Sequence, residues 1–424
     1  MKKQSIILFL SLFLLPSFLS AQCSDIICSD TINCDGSGNL IVRVDQDITC
    51  ENMESEFIVS KNLLVYGSLT LNNVNMIFSP ETLGQIQTLD LYGSLRMYDS
   101  ETYHPESNAL LFRSLPNSNF EASNTSFSGI WSMNLASSNV DISGSYFDPT
   151  FLGVILLSGT GSSINISDNT IVGASPTITK LNFKCMDCST LVSRNTLYGS
   201  VSATQSTLHL NGNSIAGGLV SNGSTIVATN NSFNGTLKAT DSNISSSDES
   251  ISILGLKHTV FTALNDSIGV LNATSSNFTL TANNILTLVS TSSSFTTEND
   301  SVGDFDIASS EFSCSGINAT AFKVSNSVFN LSGSNVNSLE ISESVFGLSG
   351  NMVQTDFSVS HSNYTLLEEN SFLGVVSVSN SFVWTNQMPS LKGYADSVIV
   401  LSGNLTVKSG SEFLLSNNSL LLNP

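Results

Sequence analysis

The stretch Gly-Asp-Phe-Asp-Ile-Ala, Gly303 to Ala308, sets two carboxylates two residues apart. On a strand that spacing turns Asp304 and Asp306 to one face. Paired carboxylates on one face can serve glycoside cleavage, one as acid and the other as base or nucleophile. A second acidic group, Glu51, Glu54 and Glu56, could hold calcium together with carbonyls, although solvated loop carboxylates are the plainer reading. The Cys-Met-Asp-Cys segment at Cys185 and Cys188 has the spacing of half a zinc site. A second such pair or nearby histidines would be needed, and His104, His209, His258 and His361 are scattered, so no metal is expected.

Whether any of these groups can act depends on the elements that position them. Phe261, Phe278, Phe295, Phe312, Phe329 and Phe346 recur at steps of seventeen residues. That period is too short for a helical-hairpin repeat or a propeller blade, and it suits one coil of a β-solenoid. With the aromatic numbered 17, position 7 reads Ile251, Ile268, Ile285, Val302, Ala319, Val336, and position 10 reads Leu254, Leu271, Leu288, Phe305, Phe322, Leu339. Position 12 reads Leu256, Ala273, Ser290, Ile307, Val324, Ile341, and position 15 reads Thr259, Ser276, Ser293, Ser310, Ser327, Ser344. Alternation places 10 and 12 on one face and 15 and 17 on another, so the change of parity between 12 and 15 marks a corner. Position 4 reads Asp248, Asn265, Ala282, Asn299, Gly316, Gly333, Gly350, mostly residue types that tolerate positive φ. At Ala282, Asn283 is expected to take over the bend.

The expected architecture is all-β: a single-stranded parallel β-helix of about 17–18 residues per coil, most regular over residues 245–364. Longer coils carry Tyr66-Gly67-Ser68 and Tyr92-Gly93-Ser94 upstream, with an echo from Val398 to Phe413. About nineteen coils at strand spacing give a rod about 90 Å long. No cap-like segment follows Phe413, so either the terminal coil pairs with a partner, end-to-end self-association included, or the sequence is part of a longer chain.

The Asn-Ser-Phe phrases, the corner Asn and Gly residues and the Gly-Ser-Leu strands resemble the right-handed parallel β-helix repeats of the pectin-lyase-like superfamily, over nearly the whole mature chain. That resemblance implies a right-handed coil. It also implies one of two kinds of function, because the superfamily holds polysaccharide lyases and hydrolases as well as non-catalytic adhesins and surface proteins. Its enzymes present several acidic residues from adjacent coils on one outer face, joined by basic residues. Here position 11 reads Gly255, Asn272, Val289, Asp306, Lys323, Glu340, which predicts an ion-pair ladder with Lys323 between Asp306 and Glu340. A structural or adhesive scaffold without catalytic residues or cofactor is therefore expected. The alternative is a carbohydrate-active enzyme with its site in the irregular coils between Glu101 and Asn195, where His104, Arg113 and Arg194 lie. A minor alternative is ice binding through the aligned Thr262, Thr279 and Thr296, which give way to Ser313 and Asn330.

The compartment is read from the first residues. Lys2 and Lys3, an apolar run from Ile6 to Leu15, Pro16, then Ser20 and Ala21 have the layout of a cleaved secretory leader over residues 1–21. A retained anchor is the alternative, but the run is shorter than the roughly 20 residues a spanning helix needs. No later stretch is apolar for long enough to cross a bilayer. A secreted or cell-surface protein is expected, with a cap over residues 22–56 tied by disulfides among Cys23, Cys28, Cys34 and Cys50, and the β-helix over 57–424. Cys185 and Cys188 are expected to pair as well, while Cys314, in line with Leu280, Leu331 and Leu348, reads as a small buried hydrophobe. A net charge of −20 with only 14 basic residues excludes nucleic acid and disfavours anionic membranes and polyanionic glycans. The expected partner is a carbohydrate or another surface or matrix protein. Asn222, Asn234, Asn265, Asn299 and Asn363 are candidate glycan acceptors.

Overall fold

The computed structural model describes residues 35–423, apart from 54–55, 83–84, 105–109, 149–153, 172–179, 198, 367–369, 373–374, 380, 386–391, 395–397, 403–413 and 416–418. The leader and Cys23, Cys28 and Cys34 lie outside the described residues. Every regular element described is a β-strand, and the chain is a parallel β-solenoid.

A strand wound into a coil finds its hydrogen-bond partners only in the coils before and after it. Val260–Leu264 pairs in parallel with Asn277–Thr281, which pairs with Ser294–Glu298, and so on through Val345–Ser349. The register sets Phe261 against Phe278, then Phe295, Phe312, Phe329 and Phe346 in turn. Among the described residues twenty strands, from Asp47–Glu51 to Ser419–Asn423, join in this way into a first sheet. The other strands form a 30-stranded second sheet. In the regular region each coil gives the second sheet one eight-residue strand, such as Ser267–Thr274, and the ladder skips its third residue: Ile268 pairs with Ile285, then Val270 with Thr287. The unpaired residue bends the strand into two arms, so the cross-section has three sides.

The core follows from alternation. Strands of the first sheet run exposed, buried, exposed, buried, and the six phenylalanines are 1–4% exposed. From Phe278 to Phe346 neighbouring rings stack with centroids 4.4–5.0 Å apart and planes within 10°. Phe305 and Phe322 stack beside them at 4.5 Å. Each such burial is worth about 1.5–3 kcal/mol in apolar area, to which the ring contact adds about 0.5–1.5 kcal/mol.

Two residues per coil take left-handed backbone. Position 4 does so as its residue types suggest, and Ala282 corrects the expectation made for it: it adopts φ 57° itself, and Asn283 is buried behind the corner. Position 14 does so too, at His258, Ser275, Ser292, Ser309, Asn326 and Glu343, with φ of 47–53°. The residue after each corner points inward and serves the backbone. The N–H of Ser276 donates to Ser293 Oγ at 3.2 Å, Ser293 to Ser310 at 3.2 Å, Ser310 to Ser327 at 3.1 Å and Ser327 to Ser344 at 3.1 Å. Each hydroxyl in turn donates to the carbonyl two residues before it, as Ser310 does to Ala308 at 2.8 Å. At the other corner Asn195 N–H donates to Asn213 Oδ1 at 3.0 Å, and Asn213 N–H to Asn231 Oδ1 at 2.9 Å. The Asn213 amide also donates to Asn231 Oδ1 and to Val192 O, both at 2.8 Å. Corner groups that no ladder can reach are thereby paired inside the protein.

Ala282→Gly removes the steric cost of left-handed backbone, about 1–2 kcal/mol, and should raise the guanidinium midpoint followed by circular dichroism. Asn213→Leu orphans the Asn195 N–H and removes one of the donors to the Val192 carbonyl. It should lower the midpoint by the equivalent of about 3 kcal/mol.

Candidate functional site

The bend in the second sheet leaves a groove of about 570 Å³ running along the stack from Ser267 to Gln354. One wall is the column Ser267, Asn284, Ser301, Asn318 and Asn335, all exposed. The other is the column of unpaired bend residues, Gly269, Leu286, Gly303, Thr320 and Asn337. The floor is the backbone of Ile268, Ile285, Val302 and Ala319, whose side chains point into the core. Glycine is required at two of the bends, because a Cβ on Gly269 would run into Ser252 O and one on Gly303 into Leu286 O. Between them Leu286 stands 68% exposed on the rim. Gln354 Nε2 donates to Asn335 Oδ1 at 2.8 Å and closes one end.

The lining carries amides and hydroxyls, both donors and acceptors, and no charged side chain. Asp304 stands next to Gly303 on the outer face, exposed, and Asp306 lies two residues further along the same strand. Lys323 reaches Glu340 at 3.6 Å with both side chains about 60% exposed. The ladder predicted on both sides of Lys323 is thus an ion pair on one side among the described pairs. Asp304 lies between Thr287 and Ala321 in its column and Asp306 between Val289 and Lys323, so neither has a histidine at the adjacent level.

The other sequence candidates fall in separate places. His104 is 1% exposed inside the coil. Arg113 is held by Asp90 in a two-pronged pair, both contacts 2.6 Å, and that hydrogen bonding raises the guanidinium's affinity for its proton. Arg194 sits on a corner and grips Asp168 at 2.5 and 2.6 Å, lowering the Asp168 carboxyl. Arg113 and Arg194 are thus each engaged by a carboxylate of their own. Glu51 and Glu56 are exposed, Glu54 lies outside the described residues, and no group of three His, Cys, Asp or Glu arranged for a metal occurs among the described residues. Thr262, Thr279 and Thr296 form an exposed file, with Thr296 Oγ1 donating to Thr279 Oγ1 at 3.4 Å, flanked by Val260 and Leu264 at 50% and 45% exposure. Asn222, Asn234, Asn265, Asn299 and Asn363 are all exposed.

The cysteines bring a correction. Cys185 and Cys188 are free thiols, not a disulfide. Asp187 turns the corner between them at φ 54°, and each sulfur has a polar partner close by: Cys185 Sγ lies 3.2 Å from Thr190 Oγ1, and Cys188 donates to Met186 O at 3.3 Å. The two thiols also hydrogen-bond to each other, which raises Cys185, with burial adding to the effect, and lowers Cys188. Cys314 is fully buried beside Thr297, and burial pushes its thiol up to about 12. Cys50 is buried on Asp47–Glu51, and Cys23, Cys28 and Cys34, among which its disulfide partner is expected, lie outside the described residues.

The groove and two further features were not read from the sequence. Its walls are columns of Ser, Asn and Thr no different in composition from the rest of the surface. Tyr66 and Tyr92 stack on the outside at 4.4 Å. Glu249, Asp266 and Asp300, at 1–2% exposure, are buried acids in the inward corner column.

No family model matches the chain, and no curated protein matches it. Among solved structures it is similar to tailspike protein 3 of bacteriophage CBA120, at 11% identity, over 95% of this chain and 59% of that one, with a TM-score of 0.15. The chain thus spans less than two-thirds of that protein's length. At that score the likeness carries no inference about ligand or activity.

Because their sulfurs are buried, Cys185, Cys188 and Cys314 should resist maleimide in the folded protein and react in denaturant without added reductant. Mass mapping of the labelled peptides checks this. Unlabelled Cys185 and Cys188 in non-reducing denaturant would show a disulfide instead.

Proposed function

We propose that this chain is a secreted or cell-surface structural rod that adheres to an uncharged, extended polysaccharide along the second-sheet groove, without cleaving it. The observation that carries this reading is the groove's lining: neutral donors and acceptors repeated once per coil, aligned with the rod axis, with an exposed leucine among them. Amides and hydroxyls suit sugar hydroxyls, and Leu286 suits the apolar face of a pyranose ring. A linear polymer can use the repeat, because each further coil supplies another rung at about 4.8 Å. Uronates and sulfated glycans are opposed by the net charge of −20.

The leader over residues 1–21 supports export, and the resemblance to superfamily adhesins supports a surface role. Exposed Asn222, Asn234, Asn265, Asn299 and Asn363 would be open to glycosylation in a eukaryotic secretory pathway. A cap tied through Cys50 would shield the first coil from edge-to-edge pairing. A cleaving enzyme would need an acid and a base flanking one glycosidic bond, and no observation favours such a pair here.

Isothermal titration with neutral glucan, mannan and galactan oligosaccharides tests the reading. Binding to at least one is expected, with polygalacturonate inert. Asn284→Ala and Asn318→Ala should each weaken it by about 3–10-fold, the loss of one neutral hydrogen bond. Release of reducing ends, abolished by Asp304→Asn, would replace the adhesive reading with the enzymatic one.

A further inference from the structure

We propose that Glu249, Asp266 and Asp300 form a proton-operated latch in the corner ladder: protonated, they close it as its asparagines do, and ionised, they loosen the coils from Asn231 to Ile317. The proposal is independent of the glycan reading.

The ladder's own chemistry points this way. An asparagine in this column accepts through Oδ1 and donates through Nδ2, as Asn213 does to Val192 O at 2.8 Å and Asn231 to Leu210 O at 3.1 Å. Where the column turns acidic, the accepting half is kept. Glu249 Oε1 takes the Asn231 N–H at 3.2 Å and its Nδ2 at 2.9 Å, and Asp266 Oδ1 takes the Glu249 N–H at 2.9 Å. Asp300 Oδ1 takes the Asn283 N–H at 2.6 Å and its Nδ2 at 2.9 Å. The donating half is missing from a carboxylate. Glu249 Oε2 and Asp300 Oδ2 are buried and have no hydrogen-bond partner. A carboxylic acid has one O–H in place of the amide's donor, and an ionised carboxylate has none. Asp266 Oδ2 accepts from the Ser246 hydroxyl, so it tolerates charge better than the other two.

The surroundings offer no compensation. Glu249 is faced by Asn231, Asp266 and Asp248. Asp266 is faced by Ser246, the Glu249 N–H and Asp248, and its own N–H goes to Asn283. Asp300 is faced by Asn283 and Glu298, with the Cys314 thiol within electrostatic reach. None of these groups is a cation. Burial accordingly pushes Glu249 up to about 8 and Asp266 to about 6, and raises Asp300. An acid whose folded value is raised keeps its full stabilisation below the unfolded value, here 4.5 for Glu249 and 3.8 for Asp266, and loses it as pH climbs to the folded value. The latch therefore weakens between pH of about 4 and 8.

Hydrogen exchange on the full chain at pH 5 and pH 8.5, corrected for intrinsic rates, reads the latch coil by coil. Amides between Asn231 and Ile317 should lose protection by about tenfold or more at the higher pH, while the asparagine-laddered coil from Asn195 to Asn213 keeps its protection. Glu249→Gln combined with Asp300→Asn supplies the missing donors and should remove most of the local loss, leaving the smaller part due to Asp266. If that double variant misfolds, Glu249→Gln alone should reduce it. Equal protection at both pH values, or a loss unchanged by these substitutions, would overturn the proposal.

Discussion

A chain that turns a corner puts backbone N–H groups where no neighbouring strand can take them, and a rod built of coils repeats that problem at every level. Here the repeat itself supplies the answer. The residue behind each corner turns inward, and its oxygen accepts the N–H of its counterpart one coil earlier. The column must hold one kind of chemistry over many coils, and the coils must stay in register. Where the chemistry lapses, as at Ile317, the N–H of Asp300 has no side-chain acceptor ahead of it in that column, and the ladder resumes with Ile317 donating to Ser334 Oγ at 3.3 Å.

Register then does the rest. Identical pairing positions stack the phenyl rings into a continuous file within the bore, and the same regularity lays Asn and Ser side chains along the outside. The groove is a by-product of the bend in the second sheet, and its walls inherit the period of the core. The inner columns set the spacing of the outer ones.

Much of the fold was legible because columns of like residues announce themselves at a fixed step. The inward phenylalanines, the serine file and the position 4 glycines needed no structure to be grouped. Ala282 was misjudged because residue type was weighed above position: once its neighbours fix the corner, alanine is carried into the left-handed region with them. The position 14 corner has no common residue type, since His258, Ser275, Asn326 and Glu343 share no backbone preference. The buried acids were hidden by their neighbours. In Asp248-Glu249, Asn265-Asp266 and Asn299-Asp300 the first residue faces solvent and the second faces inward, and only strand parity separates them. Cys185 and Cys188 were misjudged as a disulfide for a related reason, because their spacing does not show the corner at Asp187 or the hydroxyl and carbonyl that partner the two thiols.

The corner bonds also have a direction: each level leans on the side chain of the level that follows it. A whole unit inserted anywhere in the regular stretch would find an acceptor waiting and offer one of its own, whereas a fragment of a unit would break both columns at once. Tandem duplication or loss of complete units is thus the route by which such a gene can change the reach of its product without redesigning any joint.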